Sequence, residues 1–462
     1  MKAEWKKRPI PPINLRNPQT APDFSGFLII RLVAGVVSKR GRSLDAVAQE
    51  FKLVGLATLL KRYKLPSRRL VTSVSLEQLL MFEDRARQSE FAPLHSLASY
   101  WRLDARAVRK PREEVLAEFR DLQEVDLAYR EQSASDPVVN PADDTYAAQQ
   151  NYLDAAPIGI DARWVWTQGG DGAGMHFIDL ERGWFLRHED LPKPKLIFNS
   201  NLNANFARDH GTAVLGEIAG VDNDRGIVGI APGLASVRVV SHFKAAGGTD
   251  GHVADAIIAA VAAWPAPHAL LLEVQRGSPP LPTETDDADF DAIRLAVANG
   301  IIVIEAGGNG GNDLDNWTDS AGHKRMNRHR RKFRDSGAIL VGAASASTPH
   351  DRLPESNFGS RLDCYGWGEN VVTAGYGDLN LTQVDNKTYT GAFGGTSGAS
   401  AIIAGAALLI QGLYYKATHS LLSPAQMRWI LSNPASGTPQ GMNVPGHIGV
   451  MPDLRKIIQN LP

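Results

Sequence analysis

Four polar residues in this chain stand where their side chains could act on a substrate. Ser397 lies in Gly395-Thr396-Ser397-Gly398-Ala399-Ser400, just before a long apolar stretch, which places a hydroxyl at the start of a helix. Backbone N–H groups left free there can stabilise negative charge. His210 lies in His210-Gly211-Thr212-Ala213-Val214-Leu215-Gly216, where small residues let the start of a helix approach its neighbours closely. Asp179 closes the apolar run Phe177-Ile178-Asp179. A carboxylate at the end of a buried strand costs free energy unless it accepts hydrogen bonds, for instance from an imidazole N–H. Asn309 ends Ala306-Gly307-Gly308-Asn309 and offers a side-chain amide. Together these groups supply what cleavage of an amide requires: a nucleophile, a base for its proton, a group that orients the base, and a donor for the oxyanion.

Each residue taken singly has an ordinary structural use. Ser397 reads as a helix N-cap, Asn309 among glycines as a turn residue, His210 as a satisfied structural histidine and Asp179 as a strand-end cap. The chemical reading rests on the set.

The elements that must carry this set follow from about Tyr152 onward. Short apolar runs at Met175–Asp179, Ser236–Ser241, Ala269–Val274, Ile301–Glu305 and Ala338–Gly342 alternate with helical patterns at His252–Trp264 and Asp289–Ala298. Continuous apolar strands separated by helices predict an α/β domain whose parallel sheet is covered on both faces. Functional groups collect at the carboxyl ends of such strands, where Asp179 and Asn309 fall. Ahead of this domain, residues 24–131 read as a small α+β unit. It has strands at Gly26–Gly35, Leu97–Leu103 and Val125–Tyr129, helices around Ser43–Tyr63 and Ser75–Arg87, and a further helix opened by Pro111. A split β-α-β arrangement is the expected topology. Residues 132–147 form a polar, proline-bearing linker, and 148–462 the larger domain.

With 49 Lys and Arg against 50 Asp and Glu, the chain offers no global charge to recruit nucleic acid or an anionic membrane. The single cysteine, Cys364, rules out an internal disulfide and a thiolate zinc site. The basic N-terminus has no apolar stretch behind it, so no ordinary secretory signal is expected and cytoplasmic residence is the reading. Ala399–Leu413 is interrupted by Ser400, Gly405 and Gln411 and reads as a buried core helix rather than a membrane span.

The motifs resemble those of the subtilisin-like serine proteases. Phe177-Ile178-Asp179 followed by His188-Glu189-Asp190-Leu191, then His210-Gly211-Thr212, Asn309 and Gly395-Thr396-Ser397-Gly398-Ala399 are similar to the family's aspartate, histidine, oxyanion and serine motifs, in the family's order. Gly229-Ile230-Ala231-Pro232 and Ser356-Asn357-Phe358-Gly359 are similar to two further signatures. The resemblance spans roughly residues 148 to 458 and implies a subtilisin-like fold and a serine endopeptidase acting on proteins or peptides. Asp179, His210 and Ser397 would then be the catalytic triad and Asn309 the oxyanion donor. The first domain resembles the family's propeptide, which implies a self-processing zymogen cut between Glu131 and Ala148, with the first domain as intramolecular inhibitor or folding chaperone.

Three positions depart from the family's pattern: Glu181 where a glycine usually follows the aspartate motif, Ala213 for a second histidine, and Ala401 for a proline. Near Glu273, Val274 and Gln275, the expected substrate-binding segment, the Ser-Leu-Gly strand is absent. These departures motivate an alternative, a catalytically silent scaffold that acts by binding a partner. No cofactor is required for the chemistry. Structural calcium is implied by the resemblance, although Asp222-Asn223-Asp224 and Asp286-Asp287-Ala288-Asp289 read first as solvated surface.

Overall fold

The structure is a computed structural model and describes residues 26–38, 43–86, 93, 95–131, 139–248, 251–380 and 384–461. The chain divides between Asp136 and Pro137 into two compact units. Part of the expected linker, residues 132–138, lies outside the described residues.

The first unit contains β1 (Phe27–Leu32), α1 (Leu44–Glu50), α2 (Val54–Tyr63), β2 (Ser67–Arg69), α3 (Leu76–Ala86), β3 (Tyr100–Asp104), α4 (Arg112–Arg120) and β4 (Val125–Arg130). Its sheet has the order β2-β3-β1-β4, with β1 antiparallel to both neighbours. Leu28, Ile30, Trp101 and Leu103 pack against Leu56, Val115 and Phe119, so this unit has a core of its own. The helix expected around 43–63 is two helices, because the chain turns between Phe51 and Leu53.

The second unit is built on a nine-stranded sheet. Its elements run α5 (Ala162–Thr167), β5 (His176–Glu181), β6 (Lys195–Phe198), α6 (Asn205–Ala219), β7 (Ser236–Ser241), α7 (Val253–Val261), β8 (Ala269–Leu272), the hairpin β9 (Gln275–Arg276) and β10 (Leu281–Pro282), and α8 (Asp287–Ala298). There follow β11 (Ile302–Ala306), β12 (Ile339–Ala344), β13 (Cys364–Trp367), the pair β14 (Val371–Ala374) and β15 (Tyr389–Phe393), α9 (Gly395–Thr418), α10 (Pro424–Leu431), β16 (Gly437–Pro439), β17 (Val450–Pro452) and α11 (Leu454–Gln459). The sheet order is β16-β17-β13-β12-β11-β8-β5-β7-β6, parallel throughout except for β16 against β17.

Alternation along the strands sorts side chains onto two cores. Phe177 of β5 and Leu271 of β8 join the cluster that holds α6 and α9, whereas Ile178, Leu180, Leu270 and Leu272 face α7 and α8. Each of these fully buried side chains contributes about 1.5–3 kcal/mol. Helix α9 is long and apolar enough to cross a membrane, yet its apolar window is wholly buried within this domain. It is the axle of the core.

Candidate active site

Strand β5 ends at Glu181, two residues beyond the expected Asp179. Parallel pairing sets Glu181 opposite Ser241 of β7, and the Glu273 N–H donates to the Leu180 carbonyl at 3.0 Å. Two acidic side chains, Glu181 and Glu273, therefore stand at the carboxyl ends of adjacent strands. The loop after β5 is tied to α6: the Phe185 N–H donates to Thr212 Oγ1 at 2.8 Å, and a Cβ on Gly211 would lie 2.3 Å from the Gly183 carbonyl. Glycine at 211 is thus required for α6 to sit against this loop.

That contact delivers His210 to the end of β5. Its Nδ1 meets Glu181 Oε2 in a very short hydrogen bond, and its Nε2 lies 3.0 Å from Ser397 Oγ. Ser397 is the third residue of α9, only 8% exposed, and the helix starts at Gly395 with φ of +70°, a conformation that suits glycine. The structure thus brings His210 and Ser397 together but leaves Asp179 aside. Asp179 Oδ2 instead accepts the Trp184 indole N–H at 2.7 Å, and its Oδ1 has no hydrogen-bond partner among the described residues. The physical reason is the strand period. Asp179 and Glu181 share one face of β5, and His210 comes down one step further along it, where only Glu181 reaches.

Asn309 lies just past β11, with its Oδ1 accepting both the Thr396 N–H at 2.9 Å and the Thr396 hydroxyl at 3.0 Å. This fixes the amide next to the start of α9 and turns its Nδ2 away from Thr396.

Residues 198–449 match the model of the subtilase family (peptidase S8), which is more than half of the chain. The chain belongs to the subtilase family. It is 28% identical over 281 residues to subtilisin DY of Bacillus licheniformis, covering 60% of this chain and 89% of the relative. It is 27% identical over 278 residues to the major intracellular serine protease of Bacillus subtilis (strain 168), covering 58% of this chain and 78% of that protein. Among solved structures, a protease from Pseudoalteromonas arctica PAMC 21717 superposes with a TM-score of 0.51 at 18% identity, covering 70% of this chain and 99% of the other. That likeness is one of fold. The family match begins at residue 198, downstream of the strand carrying Asp179 and Glu181.

Within this site the carboxyls are pushed in opposite directions. Burial pushes Asp179 well above the usual carboxylate range, and the nearby Glu181 charge adds to the effect, so its neutral form is favoured. Burial acts on Glu181 in the same sense, but His210 and Arg182 outweigh it and hold Glu181 below its ordinary value. Desolvation tends to lower His210, yet Glu181, and then Glu273, raise it above its usual range. The imidazolium is therefore the better-stabilised form, as a base that must accept a proton requires.

Of the segment expected to bind substrate, Gln275 lies at the site, its Oε1 accepting the Asn309 N–H at 3.1 Å. Val274 packs into the core beside α7 and α8, and Glu273 turns inward to Ser400. Sequence reasoning missed Glu181 as a site residue, although a signal was present. Gly183 stands two residues after Glu181, so the glycine sought after Asp179 follows the next acid along.

Of the two acidic stretches, Asp224, Asp286 and Asp287 are exposed, while Asp289 is buried and Asp222 half-buried. Asp286 caps α8 by accepting the Ala288 and Asp289 N–H groups, and Asp289 is buried against Arg276 at 2.5 Å. Asp222 meets Asp143 and Asp144, with carboxylate oxygens within 4.8 Å of one another. Asp144 Oδ2 and the nearby Asp190 Oδ1 are buried without hydrogen-bond partners among the described residues. Hard oxygen donors brought together in this way fit a calcium ion, which Asp143, Asp144 and Asp222 would hold. Its contribution there would be structural, neutralising buried carboxylates.

Proposed function

We propose that this chain is a serine endopeptidase whose catalytic residues are Ser397, His210 and Glu181, with Asn309 as oxyanion donor. The observation that carries the reading is the continuous contact from Glu181 through His210 to Ser397 Oγ. Ser397 attacks the scissile carbonyl while His210 Nε2 takes its proton. Glu181 holds the ring by its Nδ1 side and balances the imidazolium, in the place expected of Asp179. The Asn309 Nδ2 group and the Ser397 N–H face the developing oxyanion, and His210 returns the proton to the leaving amine.

We further infer that residues 24–131 act as a propeptide, an intramolecular inhibitor or folding chaperone, removed by cleavage between Glu131 and Ala148. The small split β-α-β sheet and its separate core support that reading. The lone, buried Cys364 and the intracellular relative agree with a cytoplasmic setting.

A fluorophosphonate probe tests the assignment. Covalent labelling of wild type at Ser397, lost in Ser397→Ala and His210→Ala, is the expected result. An unlabelled wild type, even after limited proteolysis between the two units, overturns it and favours the silent scaffold.

A further inference from the structure

Glu273 is a buried acid at this site that has no part in the proposed mechanism. It stands just past β8, only 7% exposed, and one of its carboxylate oxygens lies with His210 and Glu181 in a cluster whose polar atoms are within 4.8 Å of one another. Its Oε1 is 2.5 Å from Ser400 Oγ, and its Oε2 has no hydrogen-bond partner among the described residues. Ser400 Oγ is also 3.0 Å from the backbone carbonyl of Ser397.

Counting protons shows what this arrangement can do. A serine hydroxyl has one hydrogen, and the Ser397 carbonyl can only accept. If Ser400 donates to that carbonyl, the short Glu273–Ser400 contact requires a proton on Glu273. If Glu273 is ionised, Ser400 must turn its hydrogen to the carboxylate and release the carbonyl of the nucleophile. The two protonation states of Glu273 thus correspond to two settings of Ser400, and in one of them a second negative charge faces His210.

We propose that Glu273 is a positioning residue of the active site, a proton-holding carboxyl that switches the Ser400 hydroxyl and sets the charge against which His210 works. The proposal rests on the assignment of His210 and Ser397 above. The groups facing Glu273 are Asp179 and Glu181 from β5, His210 and Glu217 from α6, and Ser397 and Ser400 from α9, with Arg182 acting on Glu181 and His210. Asp179 and Glu217 are both pushed well above the carboxylate range by burial, which favours their neutral forms. Burial likewise raises Glu273, to about 7, against the downward pull of His210 and the two serines. Its proton is therefore exchanged near neutral pH. As pH rises through that range, Glu273 ionises and adds to Glu181 in stabilising the imidazolium of the transition state.

The test follows the His210 ring protons by NMR in the full chain, in a Ser397→Ala background that prevents self-digestion. The signal is assigned among the 12 histidines by its loss in His210→Gln. In wild-type context we expect two inflections, one from His210 itself and one from Glu273. In Glu273→Gln we expect the second inflection to vanish and the His210 midpoint to fall by about one pH unit. The acid limb of kcat/KM, measured with Ser397 intact, should move down by the same amount, and the plateau of kcat at high pH should drop about tenfold. Ser400→Ala keeps the carboxyl and should leave the His210 midpoint raised. A single inflection, an unmoved midpoint in Glu273→Gln, or an equal fall in Ser400→Ala overturns the proposal. If Glu273→Gln does not fold, the inflection count still decides. Failure of the underlying protease assignment is recognised separately, as an unlabelled wild type with an intact titration.

Discussion

Glu181 and Asp179 sit two residues apart on one face of the same strand, and only Glu181 touches His210, while Asp179 is bound by the Trp184 indole. Exchanging the two carboxyls for amides separates their roles. Glu181→Gln removes the charge that balances the imidazolium and offers Nδ1 the wrong partner, so kcat should fall by about 10³–10⁴ with KM little changed. Asp179→Asn replaces an acid that is bound by Trp184 and whose neutral form burial favours, and kcat should stay within about threefold of wild type. The reverse ranking in steady-state kinetics would falsify the assignment of Glu181.

The two outcomes also show what was legible in the sequence. Ser397, His210 and Asn309 could be found because each lies in a run of glycines and small residues that the backbone geometry demands, such as Gly211 against the Gly183 carbonyl. The parallel sheet was legible in its continuous apolar strands, with Ser236–Ser241 recovered at both ends. The acid was not, because a strand repeats its face every two residues and both Asp179 and Glu181 satisfy the same pattern. Choosing between them needs the depth at which α6 crosses the strand end, a tertiary quantity. The inward turn of Glu273 was hidden for the same reason, since a polar residue past a strand end reads as exposed until Ser400 is placed beside it.

Asn309 is held through its Oδ1 by Thr396, and in the proposed mechanism its remaining amide hydrogens serve the substrate oxygen. Asn309→Ala should lower kcat by about 10²–10³ while leaving KM near its wild-type value, because the donor acts on the oxyanion and not on the ground-state carbonyl. Burst kinetics with an ester substrate provide the measurement. A change confined to KM would assign Asn309 to ground-state binding instead.

Trp184 should matter through stability more than through catalysis. Its indole N–H is the sole hydrogen bond to the buried Asp179 carboxyl among the described residues, so Trp184→Phe leaves that group unsatisfied. A loss of about 1–3 kcal/mol in chemical denaturation is expected. The double variant Trp184→Phe with Asp179→Leu should recover part of it, since an apolar side chain no longer needs the bond. No recovery would mean that the indole ring's packing, and not its N–H, carries the cost.

The unpaired oxygen of Asp144, beside Asp143 and Asp222, makes a direct prediction about calcium. Chelation should lower Tm, and restoring calcium at 100 times its Kd should return about 2.7 kcal/mol of stability. Magnesium at the same concentration should not substitute, because it demands a tighter octahedral shell. Asp144→Asn should abolish the calcium response while leaving fluorophosphonate labelling intact at low temperature. A Tm indifferent to chelator and calcium would remove the ion from this loop.

The pH profile follows from the charge on the base. His210 must be neutral to accept the Ser397 proton, and its carboxylate neighbours hold it above its ordinary value of 6.5. Lowering the pH through that raised value therefore charges the ring and removes activity, so kcat/KM should rise with pH along a limb lying above 6.5. Glu181, held below its usual value, stays ionised across this range and does not contribute a limb of its own. In Glu181→Gln the largest force raising His210 is gone and burial dominates, so the residual activity should show an acid limb displaced to lower pH. An acid limb that stays in place in that variant would mean that the titrating group is not His210 under the influence of Glu181, and the electrostatic account of the site would fail.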